Sequence, residues 1–143
     1  MPELKSNKKI SEFADKSLLI VDDDNPFRER LARAMEKKGF VVSQAESVKA
    51  GIESVISTKP AFAVVDLRLN DGNGLEVVKE IQKNNSNSRI IMLTGYGNIP
   101  TAVAAIKEGA IDYLAKPADA DDVEKALLAD PDKKAAPPES PMS

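Results

Sequence analysis

The sequence predicts an α/β protein of the doubly wound kind, a flavodoxin-like (βα)5 fold with parallel strands in the order 2-1-3-4-5. Three observations carry this expectation. Short apolar runs, rich in branched residues and too short for helices, recur along the chain: Leu18-Leu19-Ile20-Val21, Ala61-Phe62-Ala63-Val64-Val65 and Ile90-Ile91-Met92-Leu93. Between these runs the apolar residues fall at helical spacing, so strands alternate with helices and the sheet is parallel. Right-handed crossovers leave few topologies for such units, and 2-1-3-4-5 is the most economical.

In chain order, residues 1–15 read as a loosely ordered leader with weak helical hints at Ile10 and Phe13. Ser17 to Val21 forms the first strand and ends in Asp22-Asp23-Asp24. Asn25-Pro26 opens the first helix, with Asp24 read as a cap rather than a ligand and Pro26 in the first turn, where its missing N–H costs nothing. Phe27, Leu31, Ala34 and Met35 make its inner face, Arg and Glu fill the other, and Gly39 ends it. Phe40 to Ser43 is a shorter second strand near an edge. Ser47 caps a second helix whose apolar face is Val48, Ile52, Val55 and Ile56, closed by Lys59-Pro60.

The third strand, bounded by Pro60 and by Asp71-Gly72, ends at Asp66. Asn73 or Asp71 caps the third helix, which turns Leu75, Val78 and Ile81 inward and dissolves in Asn84-Asn85-Ser86-Asn87-Ser88. Arg89 to Leu93 is the fourth strand, ending at Thr94-Gly95-Tyr96-Gly97. Asn98 caps a fourth helix with Pro100 in its first turn and Gly109 at its end. Ala110 to Ala115 is the fifth strand, followed by Lys116-Pro117. Asp119 or Asp121 starts the last helix, with Val123, Ala126 and Leu127 inward. This assigns 16–130 to one folded domain and 131–143, with Pro131, Pro137, Pro138 and Pro141, to an extended linker.

The 143 residues suffice for one domain with a real core. A net charge of −3 gives no basic surface for nucleic acid or anionic lipid. The absence of cysteine fits a cytoplasmic protein and removes thiol chemistry; the absence of histidine removes the commonest general base and the usual transition-metal ligand. No run approaches the length of a membrane span.

Carboxylates, hydroxyls and lysines are left to do any chemistry, and they gather at the carboxyl ends of the strands. Asp22-Asp23, Asp66, Thr94 and Lys116 each follow an apolar run and face one crevice, where open α/β sheets bind ligands. Carboxylates on adjacent strands repel one another unless a cation lies between them. Mg²⁺, which takes oxygen ligands and keeps several waters, suits Asp23, Asp66 and a nearby main-chain carbonyl. With Lys116 as a positive charge and Thr94 as a hydroxyl donor, the crevice is a receptacle for a phosphoryl group transferred onto a carboxylate.

These residues resemble the receiver domain of two-component response regulators. The acid pair Asp22-Asp23, the acceptor Asp66, Thr94-Gly95, and Lys116-Pro117 with Tyr113 three residues earlier agree in type, order and strand context. The runs Asp66-Leu67-Arg68-Leu69-Asn70-Asp71-Gly72 and Leu114-Ala115-Lys116-Pro117-Ala118-Asp119-Ala120-Asp121-Asp122 are similar to redox-responsive regulators of the RegA/ActR/PrrA type, and the proline-rich tail resembles their interdomain linker.

The resemblance implies a phosphoacceptor rather than an enzyme. Asp66 would take the phosphoryl group from a sensor histidine kinase, with Asp23, Asp66 and the Arg68 main-chain carbonyl on Mg²⁺ and Asp22 orienting a bound water. Lys116 and Thr94 would contact phosphoryl oxygens, and Thr94 and Tyr113 would switch the face made by the fourth helix, fifth strand and fifth helix, the surface for a homodimer. DNA would be reached only through a C-terminal helix-turn-helix domain absent from this sequence. An aspartyl-phosphate phosphohydrolase of the haloacid-dehalogenase kind would need a second aspartate two residues after the nucleophile, where this chain has Arg68. A flavin or nucleotide module would need a phosphate-cradling loop where Asp22-Asp23-Asp24 stands.

Overall fold

A computed structural model describes residues 9–95, 99–110 and 112–129. The first part of the leader, Tyr96, the expected cap Asn98, Ile111 and the linker 131–143 lie outside the described residues. The elements are β1 (Ser17–Val21), α1 (Asn25–Lys38), β2 (Val41–Ala45), α2 (Val48–Thr58), β3 (Phe62–Asp66), α3 (Leu75–Asn84), β4 (Arg89–Thr94), α4 (Ile99–Lys107), β5 (Asp112–Ala115) and α5 (Ala120–Leu128). A 3₁₀ turn at Ile10–Glu12 precedes β1, and a short antiparallel hairpin, Arg68–Leu69 against Gly72–Asn73, links β3 to α3. The five strands form one parallel sheet in the order β2-β1-β3-β4-β5, the topology the sequence predicts.

Alternation along the strands divides the core in two. Leu18, Ile20, Phe62, Val64, Ile91 and Leu93 pack against Phe27, Leu31 and Met35 of α1 and Val123 and Leu127 of α5. Leu19, Val21, Ala63, Val65, Ile90 and Met92 face Val48 and Val55 of α2 and Val77, Val78 and Ile81 of α3. With apolar layers on both faces, β3 is buried from end to end, so Asp66 is held on a rigid, close-packed element.

Several local expectations are corrected. The buried face of α1 is Phe27, Arg28, Leu31, Ala32 and Met35, turned so that Arg28 points inward. Ile56 is 54 % exposed, because the line of α2 that meets the sheet runs through Val48, Gly51 and Val55. A Cβ on Gly51 would lie 3.3 Å from Val21 and Val77, so the glycine lets α2 approach closely. The second strand starts one residue later than read and runs to Ala45; Phe40 instead packs edge-on against Phe62, with centroids 5.3 Å apart. Asp71 does not cap α3. It reaches back to α2, accepting from the amides of Val48 (2.7 Å) and Lys49 (3.1 Å), while Asn73 accepts from the Leu75 amide at 2.7 Å.

The described part of the leader is packed rather than loose. Ile10 is buried in the α1/α5 half of the core, and Phe13 meets Phe62 edge-to-face at 5.2 Å. The Arg89 guanidinium lies 5.3 Å from the Phe13 ring centroid and donates to the carbonyls of Leu127 (3.2 Å) and Ala129 (2.8 Å), closing the C-terminal end of α5. The cooperative unit therefore starts before β1. Ile10→Ala is expected to cost about 2 kcal/mol, the low end for a buried Ile-to-Ala change, measured by urea unfolding. A loss under about 0.5 kcal/mol, the range of ordinary surface substitutions, would place the turn outside that unit.

Candidate functional site

Parallel strands deliver their carboxyl ends to one edge of the sheet, and the polar residues that terminate β1, β3 and β5 meet there. Asp22, directly after β1, is wholly buried, Asp66 is 6 % exposed and Asp23 is half-buried. One carboxylate oxygen from each of the three lies within 4.8 Å of the other two. Lys116 reaches into the group: Nζ stands 3.0 and 3.3 Å from the two oxygens of Asp22 and 3.3 Å from Asp66 Oδ2. Its ammonium also sits 4.8 Å from the centroid of the Phe27 ring, an attractive cation–π placement. The Lys116 amide donates to the Thr94 carbonyl at 2.9 Å, and the Lys116–Pro117 peptide is cis.

The remaining contacts hold the acids in place. The Asp22 amide donates to the Ala45 carbonyl at 3.0 Å, and Asp22 Oδ1 accepts from the Asp24 amide at 2.9 Å. Asp24 is the cap of α1, its Oδ1 accepting from the Phe27 amide at 3.1 Å, and it borders the same cleft as Asp66 and Lys116. Asp66 Oδ1 accepts from the Arg68 amide at 3.3 Å. The Arg68 side chain is exposed and, with Phe27, Arg30 and Pro117, borders the open cleft above Asp66 and Lys116.

Burial pushes the Asp66 carboxyl up to about 6, with the charge of Asp22 adding to the rise and Lys116 opposing it. For Lys116 burial works against the charged form, yet the hydrogen bond and charge of Asp22, with the help of Asp66, hold its pKa above the ordinary lysine value. The ammonium meets Asp22 and Asp66, and Asp23 adds a third carboxylate to the cluster. The excess negative charge and an all-oxygen donor set fit a hard divalent cation such as Mg²⁺.

Asp22, Asp23, Asp66 and Lys116 come together as one group. Thr94 is buried at the end of β4, but its hydroxyl donates to the Gly95 carbonyl at 3.2 Å rather than joining them. Tyr113 is half-buried and packs on the α2/α3 half of the core, as does Met92 opposite it. Thr94, two residues beyond Met92, therefore shares a sheet face with Tyr113. Tyr96 lies outside the described residues.

Two neighbours of the cluster escaped the sequence reading. Arg28 is buried beside Asp22; its signal was its position between Phe27 and Leu31 on the helix, overridden by its charge. Gly74 packs directly on the main chain of Asp66, where a Cβ would collide with the Asp66 carbonyl oxygen. Its backbone is ordinary right-handed helix, so the demand is purely steric and has no local signal.

A doubly wound sheet with this acid cluster and lysine at its carboxyl edge defines the class of signalling receiver domains. The model of the response regulator receiver domain family matches residues 18–128, and the chain belongs to that family. Within it the chain is of the RegA/ActR type. It is 59% identical over 130 residues to the photosynthetic apparatus regulatory protein RegA of Rhodobacter capsulatus, covering 91% of this chain and 71% of that one. It is also 59% identical over 129 residues to the acid tolerance regulatory protein ActR of Rhizobium meliloti (strain 1021), covering 90% and 66%. A crystal structure of a response regulator protein from Burkholderia pseudomallei, with a phosphorylated aspartic acid, calcium ion and citrate, aligns with a TM-score of 0.77 at 37% identity over 83% of this chain and 70% of that one.

Receivers of this family are generally phosphorylated by histidine kinases, bind Mg²⁺ at an acidic cluster, and are not a classical enzyme family. Among the described residues no helix is long and apolar enough to cross a membrane.

The raised Asp66 carboxyl has a consequence for stability without divalent cations. An acid whose folded pKa is raised contributes stability that is present below its unfolded value, 3.8, and lost as pH rises through about 6. Asp66→Asn should therefore match wild type near pH 4 and exceed it in Tm by several degrees at pH 8 in chelator. Millimolar Mg²⁺ should narrow the gap. A gap that is the same at both pH values would show that ionised Asp66 carries no such strain.

Proposed function

We propose that this chain is the phosphoacceptor module of a two-component system, taking a phosphoryl group on Asp66 from the phosphohistidine of a sensor histidine kinase. The observation that carries this reading is the bridge of Lys116 between Asp22 and Asp66 at the end of a fully buried strand, with Asp23 beside them. Asp23, Asp66 and the Arg68 main-chain carbonyl would hold Mg²⁺, and Asp22 would orient a water on it. When bound, the ion neutralises charge on the acids and on the incoming phosphoryl oxygens.

One Asp66 oxygen forms the new O–P bond as the P–N bond of phosphohistidine breaks, and the bonding pair leaves with the imidazole. Lys116 keeps Asp66 ionised and then pairs with a phosphoryl oxygen; its contact with Phe27 and its buried partner Asp22 limit where the ammonium can move. The Thr94 hydroxyl, bonded to the Gly95 carbonyl among the described residues, turns toward the phosphoryl group. Tyr113 fills the space released on the same face, which alters the surface of α4, β5 and α5. Val103 and Ile106 of α4 are 43 % and 39 % exposed and give that surface an apolar component for a second copy.

Residues 16–130 form the receiver unit and 131–143 an interdomain linker, leading in the whole regulator to a helix-turn-helix domain that binds DNA and controls transcription. The setting is cytoplasmic.

Intact-mass measurement after treatment with acetyl phosphate and Mg²⁺ tests the acceptor. Wild type gains one phosphoryl group and Asp66→Asn gains none; equal labelling of the two would remove Asp66 from its role. Asp23→Asn is expected to weaken Mg²⁺ binding at least tenfold and to slow labelling, and unchanged Mg²⁺ affinity would remove Asp23 from the metal site. Phosphorylation is expected to shift amide resonances at Thr94, Tyr113 and α4. Shifts confined to the loops nearest Asp66 would count against the switch.

A further inference from the structure

The acid pair is fastened by a residue that the phosphoryl chemistry above does not use. Arg28 is 8 % exposed, and a buried guanidinium is tolerated only when its donors are satisfied. Nη1 donates to the main-chain carbonyl of Asp22 at 2.8 Å and to Asn25 Oδ1 at 2.6 Å, and Nε donates to Gln44 Oε1 at 2.9 Å. The carboxylate of Glu29, 3.9 Å away and 54 % exposed, adds little. The strong partners come from the end of β1, the first turn of α1 and β2. One side chain therefore ties the end of β1, where the acid pair stands, to α1 on one side and β2 on the other.

The Asp22 carbonyl belongs to the peptide unit that joins Asp22 to Asp23. That unit is planar, so restraining its oxygen restrains the Cα atoms of both residues and the directions in which both carboxylates leave the backbone. We infer that Arg28 is a positioning residue for the divalent-cation site: it sets the plane of the Asp22–Asp23 peptide and thereby the mutual placement of the two acids. The hydrogen bonds of Arg28 go to a main-chain carbonyl and two side-chain amides, not to the carboxylates that would hold the cation. A lysine at this position would keep the charge but lack the planar fork that serves three acceptors at once. The inference rests on the reading of the acid cluster as a Mg²⁺ site.

The test is direct Mg²⁺ titration, followed by the amide shifts of Asp22, Asp23 and Asp66, together with acetyl phosphate labelling rates across Mg²⁺ concentrations. Arg28→Met is expected to weaken Mg²⁺ affinity about tenfold, the low end for loss of a residue that orients metal ligands. Its labelling rate at saturating Mg²⁺ should stay near that of wild type. Arg28→Lys should recover only part of the affinity. Ile10→Ala, destabilised at a distance, should bind Mg²⁺ like wild type, which separates positioning from general loss of stability.

If Arg28→Met does not fold, Asn25→Ala and Gln44→Leu, which each remove one anchor of the guanidinium, should still weaken Mg²⁺ several-fold. Wild-type affinity in Arg28→Met, or in both anchor variants, overturns the inference, and so does an equal loss in Ile10→Ala. A wild type that binds Mg²⁺ but accepts no phosphoryl group would instead overturn the proposed function and leave the role of Arg28 standing.

Discussion

The crowding of three carboxylates at one edge of the sheet, two of them bridged by a lysine, is the constraint on which the rest of the site depends. Asp22 is wholly buried and Asp66 nearly so, and like charges this close in a low-dielectric setting repel strongly unless neutralised. Lys116 offsets part of that repulsion. It does so because its backbone is tied to Thr94 on the neighbouring strand and its ammonium rests over Phe27. The Asp66 carboxyl stays raised all the same, by burial first and by the charge of Asp22 second. The domain thus keeps an unfavourable arrangement of charge at the one edge where charge is useful, and its apolar layers hold that arrangement together.

Those layers also explain how the site keeps its shape. Asp66 ends a strand buried on both faces, paired in register with β1 and β4. Gly74 lets the start of α3 press onto the Asp66 carbonyl, and the Gly74 amide donates to the Leu67 carbonyl at 2.8 Å. Asp71 pins the same connection to the first turn of α2. Small residues permit the close approaches and polar ones latch the loops, so the loop after the acceptor is restrained from two sides.

Elements with a strong local signal were legible in the sequence. The apolar runs predicted the strands, and Ser47 and Asp119 cap α2 and α5 as expected, accepting from the amides of Ala50 and Asp122. The gathering of Asp22, Asp23, Asp66 and Lys116 followed from topology alone, because parallel strands must bring their carboxyl ends together. What escaped depends on tertiary contact. Charge argued that Arg28 faces water, but three acceptors across two strands and a helix make its burial favourable. Asp71 sits beside α3 in sequence yet serves α2, 23 residues away. Ile10 lies in a polar stretch, and only the surface offered by α1 and α5 gives it a place to pack.

The clasp formed by Phe13, Arg89 and the last turn of α5 lies at the amino ends of the strands, where β3 and β4 begin. The acid cluster lies at their carboxyl ends, about 17 Å away for a five-residue strand. Phe13 and Ala129, near the two ends of the described chain, therefore both lie at the pole farthest from the chemistry. The same strands thus divide their labour along their length, with aromatic and cationic packing at the end where they start and the acidic chemistry at the end where they stop.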